Sequence, residues 1–465
     1  MFMVRDMYFK KNPHVLFRDY VHFGLLVSHK HFAYNSNHNW PLNDTIISST
    51  GCVIYKLLTD IPQTSSEIAN KATAIFDGVS TEELESDILE FLQRLARENY
   101  IVIEGDKTLV VSSKENDNPS KNDNSFNSIY ENFGFPLPRL TSIHVEIASI
   151  CNERCIHCYI PHNNKKKFIK DELFYKLLDE CEDLNVLHFT ITGGEPILHP
   201  SFIHYLRRLR EGNFSVSILS NLTHITDEII CEMKRNPLLG VQTSIYSMDE
   251  HVHDGITKTK GSLKKTLKAI DLLVENNIPV QISCPIMKQN YSSFELVKDW
   301  GKVRGIQVNA DYVIIGDYNS SGKNLDCRLS TNDIETLLSS EQNNRKIEEK
   351  KTPDSYICDV GGASICVSEL GLVYPCAGWQ SCVLGSLEND SIGNIWYGST
   401  ILQRLRNMKR RQIDGCLNCK AFDYCEPCLV RNANESSTHN PLEKSSFFCK
   451  IAEIKYRLAQ NEISS

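Results

Sequence analysis

The sequence has no long apolar run. None of its hydrophobic stretches approaches the ~20 residues that span a bilayer, and the N-terminus, MFMVRDMYFKKNPHV, lacks the apolar core of a signal peptide. A cytoplasmic protein with no membrane partner is expected. Positive charge is also in short supply: 50 Lys and Arg face 58 Asp and Glu, a net charge of −8. Proteins that coat nucleic acid are usually basic, so a nucleic-acid partner is not expected. What a folded core needs is present. Hydrophobic residues make up 41% and charged residues 23% of 465 positions, enough for two or three globular domains.

Cysteine is in excess, with 17 copies. An odd count does not pair off, and disulfides are rare in a reducing cytosol, so clustered cysteines point to zinc or iron–sulfur ligation. Cys151, Cys155 and Cys158 fall within eight residues, and a larger group runs from Cys358 to Cys449. Cys52, Cys181, Cys231, Cys284 and Cys327 are scattered, mostly in apolar patterns, and read as small buried side chains.

Residues 1–111 form one unit on length grounds. VLFRDY and HFGLLVSH read as strands around a tight connection, followed by helical patterns near 46–58, 64–76 and 80–98. The last opens with a capping box at Ser80–Glu83 and lays Leu84, Ile88, Phe91, Leu92 and Leu95 on one face. YIVIEGD and TLVVSS read as a closing hairpin. This order suggests a winged helix-turn-helix. Six acidic against two basic residues at 82–98 are the wrong sign for DNA, whereas an exposed strand edge can take up an extended peptide. Residues 112–136, rich in Asn, Ser, Lys and Asp, read as a flexible linker. From 137 to 330 strand patterns (SIHVEIA, VLHFTIT, SVSILSN, VQTSIYS, VQISCPIM, IQVNADYVI) alternate with amphipathic helices such as DELFYKLLDECEDL and SLKKTLKAIDLLVENN. Six strand–helix units imply an α/β parallel sheet, open or closed into a partial barrel, with ligands at the C-terminal ends of its strands. Residues 331–465 break into short segments and cysteines, a region expected to be held by metals more than by a large core.

CNERCIHCY follows the first of these strands, which puts three thiols at the functional rim. Zinc with three ligands and an open position is one arrangement these residues allow. Three thiolates on one short loop suit an iron–sulfur cube better, because each holds a different iron and the fourth iron stays free. Cys151-x3-Cys155-x2-Cys158, with His157 before the last cysteine, resembles the signature of the radical S-adenosylmethionine superfamily. That resemblance implies a [4Fe–4S] cluster whose open iron binds S-adenosylmethionine, cleaving it to a hydrogen-abstracting 5′-deoxyadenosyl radical. TITGGEP, at the end of the second strand, resembles the segment that contacts the methionyl amine, implying cofactor roles for Gly193, Gly194 and Glu195. Ser220, Asn221 and Ser244 resemble the ribose- and carboxylate-contacting positions. YSMDEHVHDGITKTKGSL resembles a stretch frequent in the peptide-modifying branch, and its HxHD is not read as a metal motif.

Cys358-x12-Gly371-x4-Cys376, Cys416-x2-Cys419-x5-Cys425-x2-Cys428 and Cys449 are similar to the seven-cysteine SPASM domain, with two residues instead of three before the sixth cysteine. Spacing alone would also fit a zinc ribbon. The resemblance implies two auxiliary [4Fe–4S] clusters, three clusters in all. Cys416, Cys419, Cys425 and Cys449 would complete one, and Cys358, Cys376 and Cys428 would hold the other. Thr352 stands where some relatives place a further cysteine, leaving Cys327, Cys366, Cys382 or an open iron as its fourth position. The implied whole is a partial (β/α)6 radical SAM barrel with an N-terminal winged-helix leader-recognition element and a C-terminal SPASM domain. It would modify a ribosomally made precursor peptide, by thioether or other crosslink formation, with a reductant such as flavodoxin or ferredoxin. A sulfatase-type formylglycine maturase and a zinc-stabilised transcription factor are the other readings. No catalytic base is assigned.

Overall fold

The computed structural model describes residues 7–34, 40–104, 130–340 and 350–463. The chain divides into two compact units: residues up to Leu137 with Arg207–Val216 and Arg235–Leu239, and all the rest.

In the first unit β1 (Tyr8–Lys11), β2 (Val15–Asp19), β3 (Phe23–Ser28) and β4 (Thr45–Ser48) precede α1 (Ser49–Leu57), α2 (Ser65–Ala72) and α3 (Thr81–Arg97), and β5 (Ile101–Glu104) follows them. β2, β3 and β4 form an antiparallel sheet in that order, and β5 pairs antiparallel with β1. The expected helix at 46–58 begins later. The β-branched pair Ile46–Ile47 continues as strand, and Ser48 Oγ caps α1 by accepting from Gly51 N at 3.1 Å. Both α2 and α3 open with a complete capping box, from Thr64–Glu67 and Ser80–Glu83. Leu84, Ile88, Leu92 and Leu95 of α3 enter a core with Phe9, Leu26, Tyr55 and Ile68, and Phe91 packs on its margin. β5 pairs with β1, and TLVVSS, the second strand of the expected closing hairpin, lies outside the described residues. Most of the expected linker also lies outside them. Its last residues are anchored: the rings of Tyr130 and Phe135 stand 5.4 and 5.3 Å from Tyr20, and Phe133 stacks on His22 at 5.5 Å.

The second unit is built on a nine-stranded sheet, ordered β11-β10-β9-β8-β7-β6-β12-β13-β14. Its first six strands in sequence are β6 (Ser142–Ala148), β7 (His188–Gly193), β8 (Ser215–Leu219), β9 (Leu239–Ser244), β10 (Val280–Pro285) and β11 (Gln307–Asp311), with helices between them. β6 and β7 pair in parallel, as do β9, β10 and β11. The period of two puts Ile143, Val145 and Ile147 on one face, fully buried with Phe174, Leu177 and Leu178 of helix Asp171–Asp183. The other face is polar: Glu146 pairs with Thr192, His144 with Thr190, and Ser244 with Ser283 beside Asn309. A sheet with both faces buried would be apolar throughout, so the polar face lines a space rather than a core.

The sequence did not announce β12 (Ser364–Val367), β13 (Leu372–Tyr374) and β14 (Gly385–Ser386), which extend the sheet from the cysteine-rich region. β12 runs parallel to β6, pairing Cys366 with His144. No helix among the described residues is long and apolar enough to cross a membrane.

Candidate active site

β6 ends in an irregularity between Glu146 and Ala148, and the cysteine loop begins there. The loop is pinned from two sides. Gly194 N and Glu195 N donate to Ala148 O and Ile150 O at 2.5 and 2.8 Å, while Arg154 N and Ile156 N donate to Thr257 O and Ile256 O at 3.0 and 3.1 Å. Gly193 has φ +136°, and a Cβ there would stand 2.0 Å from Ala148 O. A Cβ on Gly194 would meet Ile150 O and Ser149 O at 2.4 Å. The close approach these glycines permit is therefore to the root of the cysteine loop itself.

The thiols are not on an exposed loop: Cys151 is buried and Cys155 and Cys158 are half-buried. Burial pushes Cys151 up to about 11 and Cys155 well above the usual thiol range, with Glu153 and the neighbouring thiols adding to the rise at Cys155. Glu153, which sequence reasoning missed, is 3% exposed; it accepts from Ser262 Oγ and lies 3.5 Å from Cys155 Sγ.

Glu195 is 1% exposed. Its carboxylate accepts from Ser220 Oγ and Asn221 N, both at 2.7 Å, and from Ile197 N at 3.1 Å. Asn221 Nδ2 turns back to Asn152 Oδ1 at 3.0 Å and to Cys151 Sγ at 4.0 Å. The structure thus joins Glu195, Ser220, Asn221 and Cys151 in one network. Ser244 is not in it; it lies beside Tyr246, whose hydroxyl is 3.4 Å from His157 Nε2. His253 accepts from Tyr246 N at 3.3 Å and is buried, while His251 is exposed, so HxHD presents no paired ligands.

Among the described residues no three His, Cys, Asp or Glu side chains converge on a single ion. Thiolates that hold separate irons of a cluster need not meet at one point. The donor set fits such a cluster, since three neighbouring thiols carry no fourth. The pocket chemistry fits an ammonium as well. Among the described residues no Lys or Arg pairs with Glu195, and burial lifts its carboxyl to about 7 despite its three donors.

In the C-terminal region Cys416, Cys419, Cys425 and Cys449 line one cavity of about 610 Å³, mouth included, with Cys428 also in its wall. Cys376 lies close to Cys428 and Cys358; burial first, then those neighbours, raise its thiol to about 11. Cys366 is buried beside Cys376. Cys327 donates to Asn324 O at 3.0 Å within a separate apolar cluster. Of the scattered cysteines Cys52, Cys181, Cys284 and Cys327 are buried as expected, and Cys231 is exposed.

The fold and the thiol loop define the class. The Radical SAM superfamily matches residues 145–301, Coenzyme PQQ synthesis protein D (PqqD) matches 46–101, and an Iron-sulfur cluster-binding domain, SPASM, matches 358–420. The chain is a radical SAM enzyme carrying a PqqD-like segment and a SPASM domain. It is similar to the antilisterial bacteriocin subtilosin biosynthesis protein AlbA of Bacillus subtilis, 27% identical over 66% of this chain and 70% of that protein. It is also similar to the PqqA peptide cyclase of Granulibacter bethesdensis, 24% identical over 60% and 82%. In structure it resembles Streptococcus suis SuiB bound to its precursor peptide SuiA, with a TM-score of 0.58, 15% identity and coverage of 94% and 99%. The likeness to anSMEcpe with bound AdoMet reaches a TM-score of 0.54 at 17% identity over 70% and 98%.

Proposed function

We propose that this enzyme matures a ribosomally made precursor peptide, forming a thioether or other intramolecular crosslink. The observation that carries the reading is the combination on one chain of the three-thiol loop, wired to Glu195 through Asn221, with a PqqD-like segment and a SPASM domain. Relatives whose names refer to a bacteriocin or a peptide support it. The formylglycine reading leaves the N-terminal unit without a task.

Cys151, Cys155 and Cys158 would hold the cluster that binds S-adenosylmethionine, Glu195 its ammonium, and Ser220, Asn221 and Ser244 its other polar groups. Gly193 and Gly194 fix the loop that carries Glu195 against the cysteine loop. Cys416, Cys419, Cys425 and Cys449 would hold one auxiliary cluster, and Cys358, Cys376 and Cys428 the other. When bound, these groups supply one-electron chemistry that abstracts a hydrogen atom. The chain's own residues position and shield: burial of Cys151 and Glu195 keeps water from the network, and Asn221 fixes the carboxylate relative to the thiols.

We assign leader recognition to residues 1–111, as a winged-helix element that takes the leader as an added strand at an edge of the β2–β3–β4 sheet. Residues 112–136 link it to the barrel at 137–330 and the SPASM domain at 331–465. The test is anaerobic reconstitution with the precursor encoded beside the gene. About twelve irons per chain, three four-iron clusters, and a product lighter by two hydrogens are expected. Replacing Cys151, Cys155 and Cys158 with Ala should abolish 5′-deoxyadenosine formation, and removing residues 1–111 should abolish leader-dependent modification. A zinc protein without sulfide, or normal modification by the truncated enzyme, refutes the respective part.

A further inference from the structure

A second polar space opens beside the cysteine loop. It encloses about 880 Å³, mouth included, and is lined by Glu146, Lys167, Tyr318, Glu369, Tyr374 and Gln380 among others. The part free to take up a small group is about 360 Å³, near the lower end for a ligand pocket and enough for a side chain with its backbone. Glu146 comes from the polar face of β6 and is 5% exposed. Two donors hold it: Tyr159 Oη at 2.7 Å to one oxygen and Gln380 Nε2 at 3.2 Å to the other. Tyr159 directly follows Cys158, and its carbonyl accepts from Tyr318 N at 3.3 Å, so the carboxylate is tied to the thiol loop. Gln380 spends its amide nitrogen on Glu146 and leaves its buried Oε1 with no partner.

Two acceptors therefore stand side by side in the wall of one cavity, Gln380 Oε1 just beneath its surface, where a small turn of the amide would present it. Glu146 has lone pairs beyond those its two donors use, and Gln380 Oε1 has none satisfied. Native structures rarely bury an acceptor without supplying a donor from solvent or ligand. We propose that this cavity seats the stretch of precursor peptide that is modified, with Glu146 and Gln380 as paired acceptors for its N–H groups. The inference rests on the peptide-maturase reading and adds to it the recognition element of the reacting segment. Burial raises the Glu146 carboxyl to about 7; Tyr159 and Gln380 pull it down and Glu369 pushes it up. A bound N–H donor would favour its ionised form.

The experiment compares parent and Glu146→Gln holoenzymes turning over the neighbouring precursor peptide anaerobically, reading modified peptide per 5′-deoxyadenosine formed. Losing a hydrogen bond to a charged acceptor should lower that ratio about tenfold or more, with partial recovery in Glu146→Asp. Should Glu146→Gln fail to assemble its clusters, Gln380→Leu carries the test, and the ratio should again fall severalfold. A ratio within about twofold of the parent's in the assembled variant overturns the inference alone, since such a change is below the worth of one hydrogen bond. A parent that leaves the peptide unmodified overturns the maturase reading and this inference with it.

Discussion

At the residue scale the glycines of TITGGEP carry an argument that the sequence only half contained. Their conformational freedom was legible; what approaches them was not, because the partner backbone belongs to a strand end about forty residues earlier. Gly193→Ala should be far more damaging than Gly305→Ala. Gly305 also has positive φ, +66°, but nothing lies within 4 Å of where its Cβ would be, so only the left-handed backbone cost of about 1–2 kcal/mol applies. At Gly193 a clash with Ala148 backbone is added, and a loss above about 3 kcal/mol is expected. Urea unfolding of the two variants checks this, and equal midpoints would refute it. Glu146 gives a pH prediction. Burial holds its carboxyl at about 7 in the folded chain, above the ordinary 4.5, so its contribution is fully present below pH 4.5 and is lost as pH rises from there through 7. Glu146→Gln has no such titration. Its melting temperature relative to the parent's should therefore rise between pH 5 and pH 8 in the ligand-free protein. A flat difference across that interval would count against the buried charge. The signal for Glu146 was present in SIHVEIA, an acidic residue in a largely buried strand, but its donors come from the far end of the cysteine loop, Tyr159, and from a segment 234 positions away, Gln380.

At the scale of elements, local rules read well wherever the element is long and regular. Helix Asp171–Asp183 and α3 follow their apolar period closely, and Ser80 caps α3 as its capping box requires. Ser80→Ala should cost about 1 kcal/mol, whereas Ile88→Ala, emptying a fully buried site, should cost about 2–5 kcal/mol. Thermal unfolding of the full chain should show the smaller effect at the cap; the reverse order would mean that α3 faces another way. Short elements escaped. β4 was hidden inside a helical pattern because only its four residues distinguish it. β12 was hidden because its order comes from pairing with β6, with Thr141 bonding Ala363 across 222 positions. A four-residue strand has little intrinsic preference, so its partner decides it.

At the scale of the whole molecule the N-terminal unit and the cysteine-rich region differ in how far the chain supports them without ligands. Among its described residues the N-terminal unit buries seventeen in one apolar cluster, from Phe9 through Tyr55 and Ile88 to Ile101. The cysteine-rich region is less bare than its sequence suggests, since Trp379, Leu405, Met408, Ile413 and Leu429 form a cluster there. That cluster has eight buried members, and around it run strands of two to four residues and helices of seven, with one long helix, Ser446–Ile463, that carries Cys449. Beside it five cysteines line one cavity. Ligand binding stabilises the folded state by mass action, and for a short-element region with a metal site that contribution is a large share of the whole. Stripping iron with a chelator should therefore open residues 350–449 to protease well before residues 40–104, with cleavage first near Cys416–Cys428. The cut sites, read by mass spectrometry on protein with and without iron, decide it. Identical cleavage patterns would mean that the eight-residue cluster alone holds the region, and that the cysteines line a space the fold already supports.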